Sequence, residues 1–61
     1  MTEKYTYSIH QSGYITVKNL LQETVAVIDY DERLSFTKKA TSVVKKEVKD
    51  FLDMHDIAYF L

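Results

Sequence analysis

Two histidines, a run of carboxylates, five clustered lysines and five tyrosines are the residues of this 61-residue chain that could carry chemistry. His10 and His55 are possible metal ligands, but neither has a neighbouring ligand at the helical spacing of a metal site. The ordinary reading puts His10 at a strand end near a turn and His55 at a helix C-terminus, where a partial positive charge is mildly stabilising. No metal or other cofactor is expected. Asp29, Asp31 and Glu32 bring three carboxylates into four positions, which in a short polar turn read as solvated rather than poised for acid–base work. The sequence has no glycine-rich phosphate loop and no serine elbow, and a chain this short has little room for a deep pocket. The expectation is a protein that is not an enzyme.

Lys38, Lys39, Lys45, Lys46 and Lys49 form the strongest charge feature. Residues 1–35 carry three basic and five acidic groups, residues 36–49 five basic and one acidic, and residues 50–61 three acidic groups. A local basic patch therefore exists in a chain of net charge -1, and it is bracketed by Asp50, Asp53 and Asp56. Lys46–Asp50 and Lys49–Asp53 stand at i, i+4, a spacing at which part of this charge is used along a helix surface. Arg33 is the single arginine, whereas base recognition favours the bidentate guanidinium. The solvated side of a helix is the first reading of these lysines and phosphate binding the second.

The tyrosines suggest contact surfaces. Tyr5 and Tyr7 alternate with small residues and share a face with Ile9, which suits packing, while Tyr14 and Tyr30 are the more exposed candidates for protein contact. Stacking on single-stranded bases ranks behind both roles. The segment Ile57–Ala58–Tyr59–Phe60–Leu61 is almost wholly apolar. It is expected to fold back over an open edge of the core; the alternative is that Tyr59, Phe60 and Leu61 pack against a second copy or a partner protein.

The elements that must position these residues follow from periodicity. Residues 4–10 (KYTYSIH) alternate as a strand with one packed side, and Gln11–Ser12–Gly13, holding the only glycine of a proline-free chain, is the expected tight turn. Residues 14–18 (YITVK) form the return strand. Residues 19–23 (NLLQE) stay a connection, in which Leu20–Leu21 could cover an end of the core or make a short helical turn. Residues 24–30 (TVAVIDY) are the most β-prone and belong at the centre of a sheet. After the polar turn at residues 31–33, Leu34 and Phe36 alternate with Ser35 and Thr37 in a short fourth strand. From about Thr41 or Ser42 to His55 the period changes: Ala40, Val44, Val48, Phe51, Leu52 and His55 fall within one arc, with Lys38, Lys45 and Lys49 opposite. The expected architecture is a single α+β domain over residues 1–61. In it a small antiparallel β-sheet of three to four strands is covered by one C-terminal amphipathic helix, β-β-β-β-α.

A domain of this size buries only about 60% of the surface its unfolded chain exposes, so its core must be small. There are no cysteines to staple it, a composition that suits a reducing compartment. No signal-peptide pattern opens the chain, and its longest strictly apolar run, Val25–Ile28, falls far short of the ~20 residues of a membrane span. A soluble cytoplasmic protein without membrane contact is expected.

From Gly13 to about residue 55 the order of features resembles a group of small uncharacterised bacteriophage proteins. In these a glycine-initiated strand leads to a Val-Ala strand, a short strand and a Thr/Ser-Lys-rich helix start. The residues that carry the resemblance are Gly13–Tyr14–Ile15, Thr24–Val25–Ala26–Val27, Leu34–Ser35–Phe36 and Ala40–Thr41–Ser42. At the helix entry the chain has Val43–Val44 where a Lys-His pair is more typical. The resemblance implies a phage or mobile-element origin, hence the cytoplasm of a bacterial host, and brings no catalytic residues.

Two function classes follow. The first is a protein-binding module, a phage-type factor that binds and inhibits or otherwise modulates a host protein through an exposed sheet edge, Tyr14, Tyr30, or Tyr59, Phe60 and Leu61. The second is a small nucleic-acid-binding protein that uses Lys38, Lys39, Lys45, Lys46 and Lys49. A homodimer is compatible with either, since joined edges or apolar segments would enlarge a marginal core.

Overall fold

Alternation in the first half of the chain and a 3.6-residue period in the second produce the expected two layers. The structure, a computed structural model, describes residues 4–60. In chain order the elements are β1 (Tyr5–Ile9), β2 (Ile15–Asn19), β3 (Thr24–Ile28), β4 (Leu34–Phe36) and α1 (Ser42–Met54). The strands make one antiparallel meander in the order β1-β2-β3-β4. This is a small α+β fold, β-β-β-β-α. None of the described helices is long and apolar enough to cross a membrane.

Cross-strand register assigns the two faces. Tyr5, Tyr7 and Ile9 oppose Asn19, Val17 and Ile15, while Ile15 and Val17 oppose Ile28 and Ala26, which in turn oppose Leu34 and Phe36. These side chains form the face beneath α1. The register slips at Val17–Lys18, where Val25 is the extra residue of a β-bulge. The bulge turns Val25 and its neighbour Ala26 toward the same core, and both are buried. That explains why residues 24–28 show no strict alternation.

The three hairpins share one loop geometry. In each, the residue before the loop accepts a bond from the third loop residue and donates one across the hairpin: Gly13 N–H to His10 and His10 N–H to Tyr14, Gln22 to Asn19 and Asn19 to Glu23, Glu32 to Asp29 and Asp29 to Arg33. The third loop residue must then be left-handed, with φ of 99° at Gly13, 66° at Gln22 and 67° at Glu32. Only the first loop spends a glycine there. Asn19 reinforces the second loop, its side-chain oxygen accepting from the N–H groups of Leu21 and Glu23. Leu20 and Leu21 at that loop's tip do not cover the core; both are exposed.

Helix α1 is capped at both ends. The Thr41 hydroxyl accepts from the Val44 N–H at 3.3 Å. At the other end Asp56 turns left-handed (φ 56°), the Ile57 N–H reaches the Leu52 carbonyl and the Asp56 N–H that of Asp53. This is a Schellman motif with aspartate in the position glycine usually takes. The helix buries Val48, Phe51 and Leu52 against Tyr5, Val17, Val25, Ala26, Ile28 and Leu34. Each such fully buried large apolar side chain contributes about 1.5–3 kcal/mol. One polar cluster ties the layers together, with Glu47 of α1 accepting from the Lys4 ammonium at 2.9 Å and from the Tyr5 hydroxyl at 2.8 Å.

After the Schellman turn the chain crosses to the far edge of the sheet. The Phe60 N–H donates to Glu32 and the Phe60 carbonyl accepts from Leu34, each at 2.7 Å, as a parallel bridge beside β4. Folding back over an open edge, as the apolar segment suggested, is what residues 57–60 do. Leu61 lies outside the described residues.

The packed role read for Tyr5, Tyr7 and Ile9 holds only at the start of β1. Tyr5 is buried, Tyr7 is 39% exposed and Ile9 is 70% exposed. The helix runs along β1 from Glu47 beside Tyr5 to His55 beside Tyr7, and it ends before reaching Ile9.

Candidate functional site

The sheet face opposite α1 has no covering layer among the described residues. Alternation and register place Thr6, Ser8, Thr16, Lys18, Val27 and Ser35 on it. Except for Lys18 these are small uncharged side chains, so the surface is flat.

One corner of this face is aromatic. His10 continues the alternation of β1 past Ile9, and its ring Nε2 lies 3.1 Å from the hydroxyl oxygen of Thr16. Tyr14 stacks on the His10 ring with centroids 4.2 Å apart and planes 11° from parallel. The two residues flank the three-residue loop that ends in Gly13, so hairpin geometry makes them cross-strand neighbours. Tyr30 begins the third loop at the same end of the sheet, where a Cβ placed on Gly13 would lie 3.5 Å from the Tyr30 Cβ. Tyr30 is 77% exposed and Tyr14 half-buried. Of the tyrosines singled out from the sequence, Tyr14 and Tyr30 are thus brought to one corner.

Tyr59 and Phe60 lie elsewhere, on the segment that closes the β4 edge. Tyr59 is half-buried; burial and the nearby Asp53 carboxylate raise its hydroxyl above the ordinary tyrosine value. The Phe60 backbone is occupied by Glu32 and Leu34, although its ring remains exposed.

The lysines belong to the other layer. Lys45, Lys46 and Lys49 are on α1, and Lys38 and Lys39 lie in the connection before it. Lys39 pairs with Glu23 at 3.0 Å and, together with the Asn19 amide, holds that carboxylate below its ordinary range. The Lys45 ammonium sits 5.7 Å from the centre of the Phe36 ring. Among the described residues the ion pairs are Lys4–Glu47 and Lys39–Glu23, and the helical spacings Lys46–Asp50 and Lys49–Asp53 are not closed. With lysine on the N-terminal side, those spacings have the weaker orientation for an i, i+4 pair. Lys45, Lys46 and Lys49 thus belong to the helix layer, whereas the aromatic corner and Lys18 belong to the sheet face opposite it.

Two contributors escaped the reading from sequence. His10, taken as an ordinary strand-end residue, orders Tyr14; the signal was its position flanking the Gln11–Ser12–Gly13 loop. The outer side of β1 was expected only generally as a sheet edge. His55 caps the helix C-terminus, the position read for it from the sequence, and contacts Tyr7 and Phe51 with centroids 5.3 and 4.6 Å apart. No group of three or more metal-ligating side chains that could hold an ion occurs among the described residues.

Compared with known proteins, the chain matches no family model, no curated protein and no solved structure.

Proposed function

We propose that the protein is a non-enzymatic protein-binding module of phage type, which docks its helix-free sheet face on a larger host protein and inhibits or redirects that protein by covering its surface. The observation that carries this reading is the juxtaposition of exposed Tyr30 with Tyr14, whose ring is held by His10, at the rim of a flat face of Ser, Thr and Val side chains. Stacked and turn-anchored tyrosines lose little conformational freedom on binding and bring large contact area, which is why tyrosine is favoured in protein interfaces. Lys18 is the one basic side chain on this face, so little counterion release is available to drive binding to phosphates. A single-stranded nucleic acid would need stacking rings and several basic groups along one groove, and here the helix lysines lie on the other layer from the rings.

A pull-down from bacterial lysate treated with nuclease tests the reading. The baits are the wild type, the variant with Lys38, Lys39, Lys45, Lys46 and Lys49 changed to glutamine, and Tyr14→Ser/Tyr30→Ser. A discrete protein held by the first two baits and lost from the third is the expected result. Retention that disappears with nuclease or with the lysine changes instead assigns the lysine side to nucleic acid and removes the proposal.

A further inference from the structure

We propose that β1 is the interface of a homodimer, in which the outer edges of two β1 strands pair antiparallel about a two-fold axis at Tyr7. In an antiparallel ladder, hydrogen-bonded and non-bonded residue pairs alternate. The His10 N–H bonds the Tyr14 carbonyl, so His10, Ser8 and Thr6 face β2, and the N–H and C=O groups of Tyr5, Tyr7 and Ile9 point outward. Nothing among the described residues pairs with that side. The opposite edge of the sheet is instead closed by the chain's own Phe60.

Edge strands are ordinarily guarded by an inward lysine, a proline or a bulge. The YTYSI of β1 has none of these, and the nearest charge, Lys4, is tied to Glu47 of its own helix. Exposed apolar side chains accompany the open backbone: Tyr7 and Ile9 on the strand, and Met54 on the stripe of α1 that Glu47 directs toward β1.

The second copy is the occupant because the two ends of the strand complement each other. An open groove lined by Lys4, Tyr5, Asn19, Leu20 and Leu21 lies at the Tyr5 end, and the protruding Ile9 lies at the other. Antiparallel pairing centred on Tyr7 sets Ile9 of each copy beside Tyr5 of the other, so the same contact forms twice, as a two-fold interface demands. About six new main-chain hydrogen bonds would join the edges. The axis stands perpendicular to the sheet, so both helices remain on one side and the two uncovered faces merge into one eight-stranded surface. The proposal concerns an edge rather than the docking face and stands or falls separately from it.

Amide hydrogen exchange on the wild type at two protein concentrations, with mass measured by light scattering, tests the pairing. The expected result is a species of twice 7.2 kDa at high concentration, together with slowing of the Tyr7 and Ile9 amides by about tenfold or more relative to dilute protein. Ile9→Lys places a charge in the contact, and Ile9→Pro removes an outward N–H while leaving the β1–β2 bonds intact. Each should weaken association on the order of a hundredfold, with the fold kept as judged by circular dichroism. A monomer up to about millimolar concentration overturns the proposal. So does a dimer in which the Tyr7 and Ile9 amides exchange as fast as in the monomer.

Discussion

Tyr5 shows how one side chain joins the layers. Its ring is buried and contacts Phe51 with centroids 6.1 Å apart, while its hydroxyl donates to Glu47. Burial first, then the Glu47 hydrogen bond and charge, push the hydroxyl from 10.0 up to about 12. Bonds from Lys4 and then Tyr5 hold Glu47 below the ordinary carboxylate range. The two shifts act at opposite ends of the pH scale. Tyr5 favours the folded state fully below pH 10, and that contribution is lost as pH rises from 10 toward about 12. Glu47 favours it above the ordinary carboxylate pKa, and that contribution is lost as pH falls through the lowered value. Urea unfolding as a function of pH should show both declines. Tyr5→Phe should cost about 1 kcal/mol at neutral pH and flatten the alkaline decline; an unchanged alkaline slope would mean that Tyr5 does not govern it. Among the residues proposed for contact, the exposure expected of Tyr14 and Tyr30 holds for Tyr30, whereas Tyr14 is half-buried against His10. The stacking of His10 on Tyr14 was not singled out, because it depends on the loop being three residues long, which sets who faces whom across the hairpin.

The loops and caps set how the elements join, and they carry visible local cost. Left-handed backbone is disfavoured for residues other than glycine by roughly 1–2 kcal/mol, partly offset by the greater freedom glycine has in the unfolded chain. Gln22 and Glu32 are exposed, left-handed and in the same loop position as Gly13. Gln22→Gly and Glu32→Gly should therefore each stabilise the fold by about 0.5–1 kcal/mol, visible as a rise of several degrees in thermal midpoint. A fall on either substitution would contradict the common loop geometry. Four strands and one helix were readable from alternation and period, to within two residues at most boundaries. What was not readable was the bulge at Val25, because TVAVI offers apolar side chains to either face. Residues 19–23 were readable as a connection, but the three-residue loop Leu20–Leu21–Gln22 within it and the exposure of its leucines were not, because it lacks the glycine that marks Gly13 and its leucines look like core. The exposure of Ile9 depends on where α1 stops above β1, which no local pattern in β1 encodes.

For the molecule as a whole, the arrangement that matters is the separation of its two surfaces. One layer presents α1 with Lys45, Lys46 and Lys49 outward, next to acidic groups and to Lys39, which Glu23 already holds. The other presents an uncovered sheet whose aromatic corner is built from His10, Tyr14 and Tyr30. Charge bookkeeping by segment read the lysines first as a solvated side because acidic residues bracket them, and the structure places Lys45, Lys46 and Lys49 on α1 with Lys38 and Lys39 in the connection before it. One helix for a sheet with one packed side already implied a face without cover, and among the described residues the face opposite α1 has none. Which side chains would gather at its corner was not legible, because that depends on the loop lengths. The most direct test of the protein-binding face is an NMR spectrum of the isotope-labelled protein in nuclease-treated bacterial lysate. The account predicts that shifts or broadening concentrate at Tyr14, Thr16, Val27 and Tyr30, with Lys45 to Lys49 unmoved. Changes confined to Lys45–Lys49, or none at the sheet face, would contradict it.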